Sequence, residues 1–146
     1  MGLRRKGREA ALQMLYQMDL SGVSAEQAIA VFWPHLGMTR DGEDFANVIV
    51  RGVATESDRI DETIRNVSQH WRLERMARVD RNILRLGTYE LLAMADVPPR
   101  VTLNEAVELA KKFGNESSPG FVNGVLDRIA TDLGKPDPQK SDLGKE

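Results

Sequence analysis

The sequence predicts a small all-α protein in which two helical bundles form one compact domain. Apolar residues recur with helical spacing along most of the 146 residues, and no stretch shows the alternation typical of a β-strand. Glycine, proline and capping signals divide the apolar stripes into about seven segments of helix. A chain of this length can bury a core large enough for one domain to fold alone.

The first two helices are predicted from an apolar stripe and from a capping box. The first covers about residues 6–20. Ser24 and Gln27 then form a capping box for the second helix, which should stop before Pro34 or near Gly37.

A single long helix is predicted from Asp41 to about Ser68. Its apolar residues fall on one face: Phe45, Ile49, Val53, Ile60, Ile64 and Val67. With the first two helices it forms a first bundle of about residues 1–70.

The second bundle, about residues 71–134, begins with a short helical turn at residues 73–77. A central helix over about residues 79–95 is apolar on most sides, which is typical of a helix in the middle of a bundle. The remaining helix ends are marked by Thr102 with Glu105 as a capping box, Gly114 as a stop, and Ser118 as a cap followed by Pro119 at the first helical position.

Composition narrows the class of protein. The chain has no cysteine and no apolar run of the roughly 18 residues needed for a membrane span, so we expect a cytoplasmic protein. His35 and His70 have no metal-ligand spacing, and no nucleotide-binding or hydrolase motif is present. We therefore expect no enzyme activity, no metal and no cofactor. Residues 135–146 are polar and contain proline, and predict a disordered tail.

The amino terminus is a candidate RNA contact, although the net charge is −2. Arg4, Arg5, Lys6 and Arg8 could neutralise phosphates, or could be a frayed, solvated start. Tyr16 lies at the edge of the apolar stripe near the angle of the arginines. An aromatic residue in that position suits base stacking, a partner contact or a half-exposed structural role.

The polar break between the last two helices is the second candidate RNA contact. Phe113 and Phe121 flank it, Lys111 precedes it, and Ser117 and Ser118 lie within or beside it. Two aromatic rings beside free hydroxyl groups suit the binding of single-stranded RNA. Core packing is the alternative for Phe113, whereas Phe121 lies at the margin of its stripe.

The central helix carries charged residues in two settings. Arg78, Arg81 and Arg85 share its polar face, where they could bind a partner or only solubilise the helix. Asp80 and Glu90 project toward apolar arcs, and a buried carboxylate needs a partner. We expect Glu90 to pair with an internal arginine and Asp80 to reach a protein partner.

Several motifs resemble the NusB family of transcription antitermination factors. They are ALQMLYQMD (Ala11 to Asp19), HWRLERMARVDRNILRLGTYEL (His70 to Leu91), VPPRVTLNEAVELAKKFG and FVNGVLD. The resemblance covers residues 4 to about 133. It implies two perpendicular helical bundles, no catalysis, and binding of the single-stranded boxA element of ribosomal RNA leader transcripts. Binding would occur jointly with ribosomal protein S-ten (NusE), and indirectly with other Nus factors and RNA polymerase.

The resemblance also implies which residues face each partner. The basic start, Tyr16 and the region from Lys111 to Phe121 would face RNA, and Tyr16, Asp80 and Arg85 would lie at the NusE site. Two positions depart from the family pattern. Gly7 stands where alanine is common and should loosen the first helical turn, and Ser117 replaces an acidic residue found in some relatives.

Two other functions fit the same sequence. The same helical module resembles the amino-terminal part of a ribosomal RNA cytosine methyltransferase, so the chain could be an accessory RNA-binding module of such an enzyme. A pure protein adaptor would keep the helices but need neither the basic start nor an exposed Phe121.

Overall fold

The structure is a computed structural model that describes residues 2–33 and 40–135, and it confirms the all-α prediction. Across those residues there are seven α-helices, one 3-10 turn and no strand. The helices are α1 (Leu3–Ser21), α2 (Ala25–Phe32), α3 (Arg40–Thr55), α4 (Ser57–Val67), α5 (Arg78–Ala93), α6 (Pro99–Phe113) and α7 (Ser118–Asp132), with the 3-10 turn at Leu73–Arg75. None of these helices is long and apolar enough to cross a membrane.

Helix α5 is the centre of the fold, as its apolar pattern predicts. It packs against α1, α3, α4, α6 and α7. Its buried residues lie on most of its sides: Asp80, Asn82, Ile83, Leu84, Leu86, Gly87, Thr88, Glu90 and Leu91. The apolar core is therefore one continuous cluster that joins the first four helices to the last two.

The ends of α1 and α2 follow the predicted signals. Gly22 adopts a left-handed conformation (φ 77°), which glycine accommodates without steric cost, and ends α1. The capping box is confirmed, because the Gln27 backbone N–H donates to Ser24 Oγ at 3.2 Å and the Ser24 N–H donates to Gln27 Oε1 at 2.9 Å. Of the predicted tail, Lys135 is described and its Nζ donates to Leu91 O at 2.7 Å. Residues 136–146 and the predicted stop of α2 near Gly37 lie outside the described residues.

The prediction of one long helix from Asp41 to Ser68 is wrong, because the chain bends at Glu56 between α3 and α4. Glu56 leaves the helical region with φ −99° and ψ 20°. Hydrogen bonds continue across the bend, since the Glu56 N–H donates to Gly52 O and the Ile60 N–H donates to Glu56 O, both at 2.9 Å. Helical periodicity persists through such a bend, so the apolar pattern does not reveal it.

The predicted capping box of α6 is also wrong. The helix begins at Pro99, four residues before the first helical residue that a Thr102 cap predicts, and there the missing N–H of proline costs no hydrogen bond. Thr102 is buried inside the helix, and its hydroxyl donates to Glu90 Oε1 at 3.1 Å. Helix α7 likewise begins one residue earlier than predicted, with Ser117 as its cap residue and Ser118 as its first residue.

Replacing Gly52 with alanine should destabilise the fold, because Tyr89 packs directly against Gly52. A Cβ added at Gly52 would overlap the ring and hydroxyl of Tyr89. Overpacking of this kind costs about 1–3 kcal/mol. Gly124→Ala is the matched control, because Gly124 also lies inside a helix but a Cβ there meets nothing within 4 Å. The control should gain up to about 1 kcal/mol from helix propensity. Denaturant unfolding measures the free energy of unfolding of both variants. An equal gain in this free energy at the two positions would contradict the close packing of Tyr89 on Gly52.

Candidate nucleic-acid interface

The four basic residues at the amino terminus lie in the first two turns of α1, where three of them are exposed. Arg4 makes an exposed ion pair with Asp96 at 3.2 Å. Arg5 binds Glu105 with N–O distances of 2.6 and 3.1 Å, and this hydrogen bond raises the pKa of Arg5. The ammonium group of Lys6 has no partner among the described residues. Lys6 is therefore the most available cation of the four.

Arg8, in contrast, is a core residue, and the prediction that it contacts RNA is wrong. Its side chain is 3% exposed and forms a two-bond ion pair with Glu90, with distances of 2.8 and 2.7 Å. Glu90 is itself buried and also accepts from the Thr102 hydroxyl. The expectation that Glu90 pairs with an internal arginine is thus confirmed, and the same ion pair engages the Arg8 guanidinium in the core, with only 3% of the side chain exposed.

Gly7 has a packing role in place of the predicted loosening of the helix. Helix α1 is continuous through Gly7, which is buried. A Cβ there would lie 2.9 Å from the Phe45 ring and 3.2 Å from the carbonyl oxygen of Gly42. The absence of a side chain lets α3 approach closely, so that Phe45 supports Arg4 and Arg8. Their guanidinium carbons lie 4.9 and 5.2 Å from the centre of the ring.

A groove of about 280 Å³ between α1 and α6 contains charges of both signs. We call it the charged groove; its lining residues are Arg5, Arg8, Glu9, Glu105, Glu108, Leu109, Lys111 and Lys112. Lys112 pairs with Glu9 at 2.8 Å, and Lys111 pairs with Glu108 at 3.4 Å. The groove brings together two predicted RNA contacts that are far apart in the sequence, Arg5 and Lys111.

The α6–α7 turn is held by its own polar side chains. Asn115 Oδ1 accepts from the Ser117 N–H at 2.9 Å and from the Ser117 hydroxyl at 2.8 Å. Ser118 Oγ accepts from the Asn115 N–H at 3.0 Å. Ser118 is 1% exposed, so the prediction that it contacts RNA is wrong, whereas Ser117 is exposed.

Phe113 and Phe121 lie in different surroundings. Phe113 is half-buried against the core, with the Lys112 ammonium 5.5 Å from the centre of its ring, and it does not line the charged groove. Phe121 is half-buried beside Trp71, with ring centres 5.7 Å apart in an edge-to-face arrangement at 74°. Trp71 is 61% exposed.

These two rings belong to a second groove of about 680 Å³, which we call the aromatic groove. Its lining residues are Gln69, His70, Trp71, Arg72, Arg75, Met76, Ala77, Asp80, Ser117 and Phe121. Sequence analysis missed Trp71, Arg72 and Arg75 as candidate site residues. The sequence did contain a signal for this site. Trp71 lies between two predicted helices and is followed by arginines, and a tryptophan in such a connection need not belong to the core.

The three residues expected at a protein partner lie in three different settings. Tyr16 is half-buried on α1 and lines neither groove. Asp80 is 8% exposed and lines the aromatic groove. Arg85 is 20% exposed and binds Asp61 at 2.9 Å and Asp19 at 3.3 Å, so its guanidinium has an internal role, and its predicted partner contact stays a prediction.

Asp19 is the centre of an ion-pair network that joins α1 to α5. It accepts from Arg81 at 2.6 and 2.9 Å, from Asn82 at 2.9 Å and from Arg85 at 3.3 Å. Burial alone would raise the pKa of Asp19, but the hydrogen bonds from Arg81 and Asn82 and the charge of Arg85 outweigh it and lower the pKa. Arg81 and Arg85 therefore hold the fold together and are more than solubilising residues.

Comparison with known proteins gives one family. The model of the NusB family matches residues 5–131. The transcription antitermination protein NusB of Sorangium cellulosum (strain So ce56) is 54% identical over 94% of this chain and 98% of its own length. That of Myxococcus xanthus (strain DK1622) is 48% identical over 93% of this chain and 100% of its own length.

Solved structures agree with the sequence comparison. A structure of T. maritima NusB aligns with a TM-score of 0.80 at 37% identity, covering 94% of each chain. A chain from a crystal structure of antitermination factors NusB and NusE in complex with double-stranded RNA aligns with a TM-score of 0.83 at 29% identity. That alignment covers 90% of this chain and 98% of the other.

Replacing Arg8 with alanine should lower the free energy of unfolding by about 3–5 kcal/mol, because Glu90 would stay buried without its cation. Arg4→Ala is the matched control, since the Arg4–Asp96 pair is exposed and such pairs contribute only about 0–1 kcal/mol. Denaturant unfolding of the two variants gives the comparison. Similar, small losses in both would show that Arg8 is not a structural residue.

Proposed function

Because the chain belongs to the NusB family, we propose that it is a transcription antitermination factor that acts by binding RNA. We propose the single-stranded boxA element of ribosomal RNA leader transcripts as its ligand and ribosomal protein S-ten (NusE) as its protein partner. Other Nus factors and RNA polymerase would join the complex indirectly, in the cytoplasm. The chain supplies binding surfaces and no catalysis in this scheme.

The observation that carries the RNA proposal is the position of the two grooves on either side of the α6–α7 turn. Lys111 precedes this turn and lines the charged groove, whereas Ser117 and Phe121 follow it and line the aromatic groove. Single-stranded RNA needs cations for its phosphates and flat rings for its bases. One strand that crosses the turn would meet both.

The ion pairs of the charged groove leave its cations available to phosphate. The Arg5 and Lys112 side chains are 45% and 56% exposed although each is paired with a glutamate. Their partners Glu105 and Glu9 are only 13% and 18% exposed, so a phosphate would approach the exposed sides of the cations while the ion pairs stay in place. Glu9, Glu105 and Glu108 nevertheless lower the positive potential of the groove. We expect the free protein to bind RNA weakly, with a shallow salt dependence.

A weakly binding protein of this kind needs a partner to hold RNA firmly. The solved complex of a related NusB with NusE and RNA supports NusE as that partner. Tyr16, Asp80 and Arg85 stay our proposed contacts for this partner. Tyr16 is partly exposed on α1, Asp80 lines the aromatic groove, and the Arg85 side chain is 20% exposed.

Phe121→Ala should reduce affinity for a labelled boxA-like RNA about tenfold, because stacking of one base on an aromatic ring contributes about 1–3 kcal/mol. Phe32→Ala is the matched control. Phe32 is also half-buried and packs edge-to-face on a tryptophan, Trp33, with ring centres 5.1 Å apart, but it lines neither groove.

Fluorescence anisotropy with and without NusE measures both variants, and thermal melting checks that each is folded. Equal losses in the two variants would mean that truncation acts through stability. Unchanged binding by Phe121→Ala would remove the aromatic groove from the RNA interface.

A further inference from the structure

The charged groove contains three glutamates, although an acidic side chain repels the phosphates of RNA. Glu9, Glu105 and Glu108 all line it. Glu105 contacts two arginines of α1 at once, because it binds Arg5 at 2.6 Å and lies 3.6 Å from Arg8. A role in holding these cations would account for an acid in a groove that is proposed to receive phosphate.

Glu105 is itself held in place by the core. Its side chain is only 13% exposed, and a side chain enclosed in this way has few rotamers available. Its neighbour Arg8 is fixed by two hydrogen bonds to the buried Glu90. The contacts therefore form a continuous series from the buried ion pair, through Glu105, to the exposed Arg5.

The contact with Glu105 uses one edge of the Arg5 guanidinium and leaves another edge available. Arg5 Nε donates to both carboxylate oxygens at 3.1 Å, and Nη2 donates to Oε2 at 2.6 Å. Nη1 donates to no group in the described part of the chain. A guanidinium has five N–H donors in a rigid plane, so Arg5 can bind Glu105 along one edge and a phosphate along another.

An arginine that is fixed before RNA arrives binds phosphate at a lower entropic cost. A free arginine on the surface has many rotamers and loses this freedom when it binds a ligand. Glu105 has already restricted Arg5, so less freedom remains to be lost. The negative charge of Glu105 opposes this gain only weakly, because two arginines lie against the carboxylate and salt screens the remaining field.

We propose that Glu105 is a positioning residue for RNA binding, which holds Arg5 in the charged groove so that the free edge of its guanidinium receives a phosphate of the RNA backbone. This inference rests on the proposed RNA-binding function and adds to it a role for an acidic residue that does not itself contact RNA. Because the ligand is the sugar–phosphate backbone, the role does not depend on the sequence of bases.

Stability of the fold gives a weaker reason for the Glu105–Arg5 pair. An ion pair with an exposed partner adds little to the free energy of unfolding, and the Arg5 side chain is exposed. Helices α1 and α6 are joined at a second place, where Lys112 binds Glu9 at 2.8 Å. The fold therefore does not depend on Arg5 for the contact between these two helices.

The test titrates the full chain with labelled boxA-like RNA at low salt, where weak binding is measurable by fluorescence anisotropy. Glu105→Gln keeps the size of the side chain but replaces one acceptor oxygen by an amino group, which cannot accept from Arg5. Affinity should fall about fivefold, within the cost of ordering one long side chain on binding. This loss is expected although the variant removes a negative charge from the groove.

Glu108→Gln is the matched control. Glu108 lines the same groove one turn further along α6, and it pairs with Lys111 at 3.4 Å and is not hydrogen-bonded to Arg5. The control removes the same charge, so its affinity should be unchanged or up to about twofold higher, because only repulsion of phosphate is lost. Equal changes in the two variants, in either direction, would overturn the proposal.

A double-mutant cycle with Arg5→Ala separates positioning from a structural role, and thermal melting checks that each variant is folded. Arg5→Ala alone should weaken RNA binding. In the Arg5→Ala background, Glu105→Gln should cause no further loss, because the side chain that it positions is gone. The same loss in both backgrounds would mean that Glu105 acts through the placement of α1, and would overturn the proposal. Unchanged RNA affinity of Arg5→Ala would also overturn it.

Two outcomes distinguish this proposal from its premise. If the wild type binds no boxA-like RNA, the proposed RNA-binding function fails and the role of Glu105 fails with it. If the wild type binds this RNA and Glu105→Gln binds it equally well or better, only the positioning role is wrong.

Discussion

The buried ion pair between Arg8 and Glu90 is the interaction on which the rest of the interface depends. It fixes α1 to the central helix α5, and the Thr102 hydroxyl adds α6 to the same point. Since α1 is held in this orientation, Arg5 and Glu9 face α6 and form the charged groove with its lysines. Removing Arg8 would leave Glu90 buried without a cation, so the pair stabilises the fold and holds α1, with its binding residues, in position.

The structure separates charges that hold the fold from charges that can bind a ligand. Arg8, Arg81 and Arg85 are engaged by buried or half-buried acids, so a count of basic residues in the sequence overstates the capacity for phosphate. Three other cations, Arg5, Lys111 and Lys112, line the charged groove together with acids, and Arg72 and Arg75 line the aromatic groove. This distribution supports the proposal that the free protein binds RNA weakly and is helped by a protein partner.

Local signals in the sequence predicted much of the fold. The Ser24 capping box and the many-sided apolar pattern of α5 depend on neighbouring residues, and both are present as expected. Features that depend on tertiary contacts could not be predicted in this way. The bend at Glu56 preserves helical periodicity. The Thr102 hydroxyl donates to Glu90 instead of capping α6. The contact of Trp71 with Phe121 joins distant parts of the chain. Among the candidate site residues, Arg8 and Ser118 were misassigned because their burial depends on partners in other elements or across a turn.

The two tryptophans of the chain allow the most direct measurement of where RNA bases bind. Trp71 lines the aromatic groove, whereas the indole N–H of Trp33 donates to Asn47 Oδ1 at 2.7 Å, outside both grooves. In ¹⁵N-labelled protein, the two indole N–H resonances report on these two places separately. Titration with single-stranded boxA-like RNA should shift or broaden the Trp71 resonance and leave the Trp33 resonance unchanged. An unchanged Trp71 resonance at RNA saturation, with or without a shift at Trp33, would contradict the assignment of the aromatic groove to RNA.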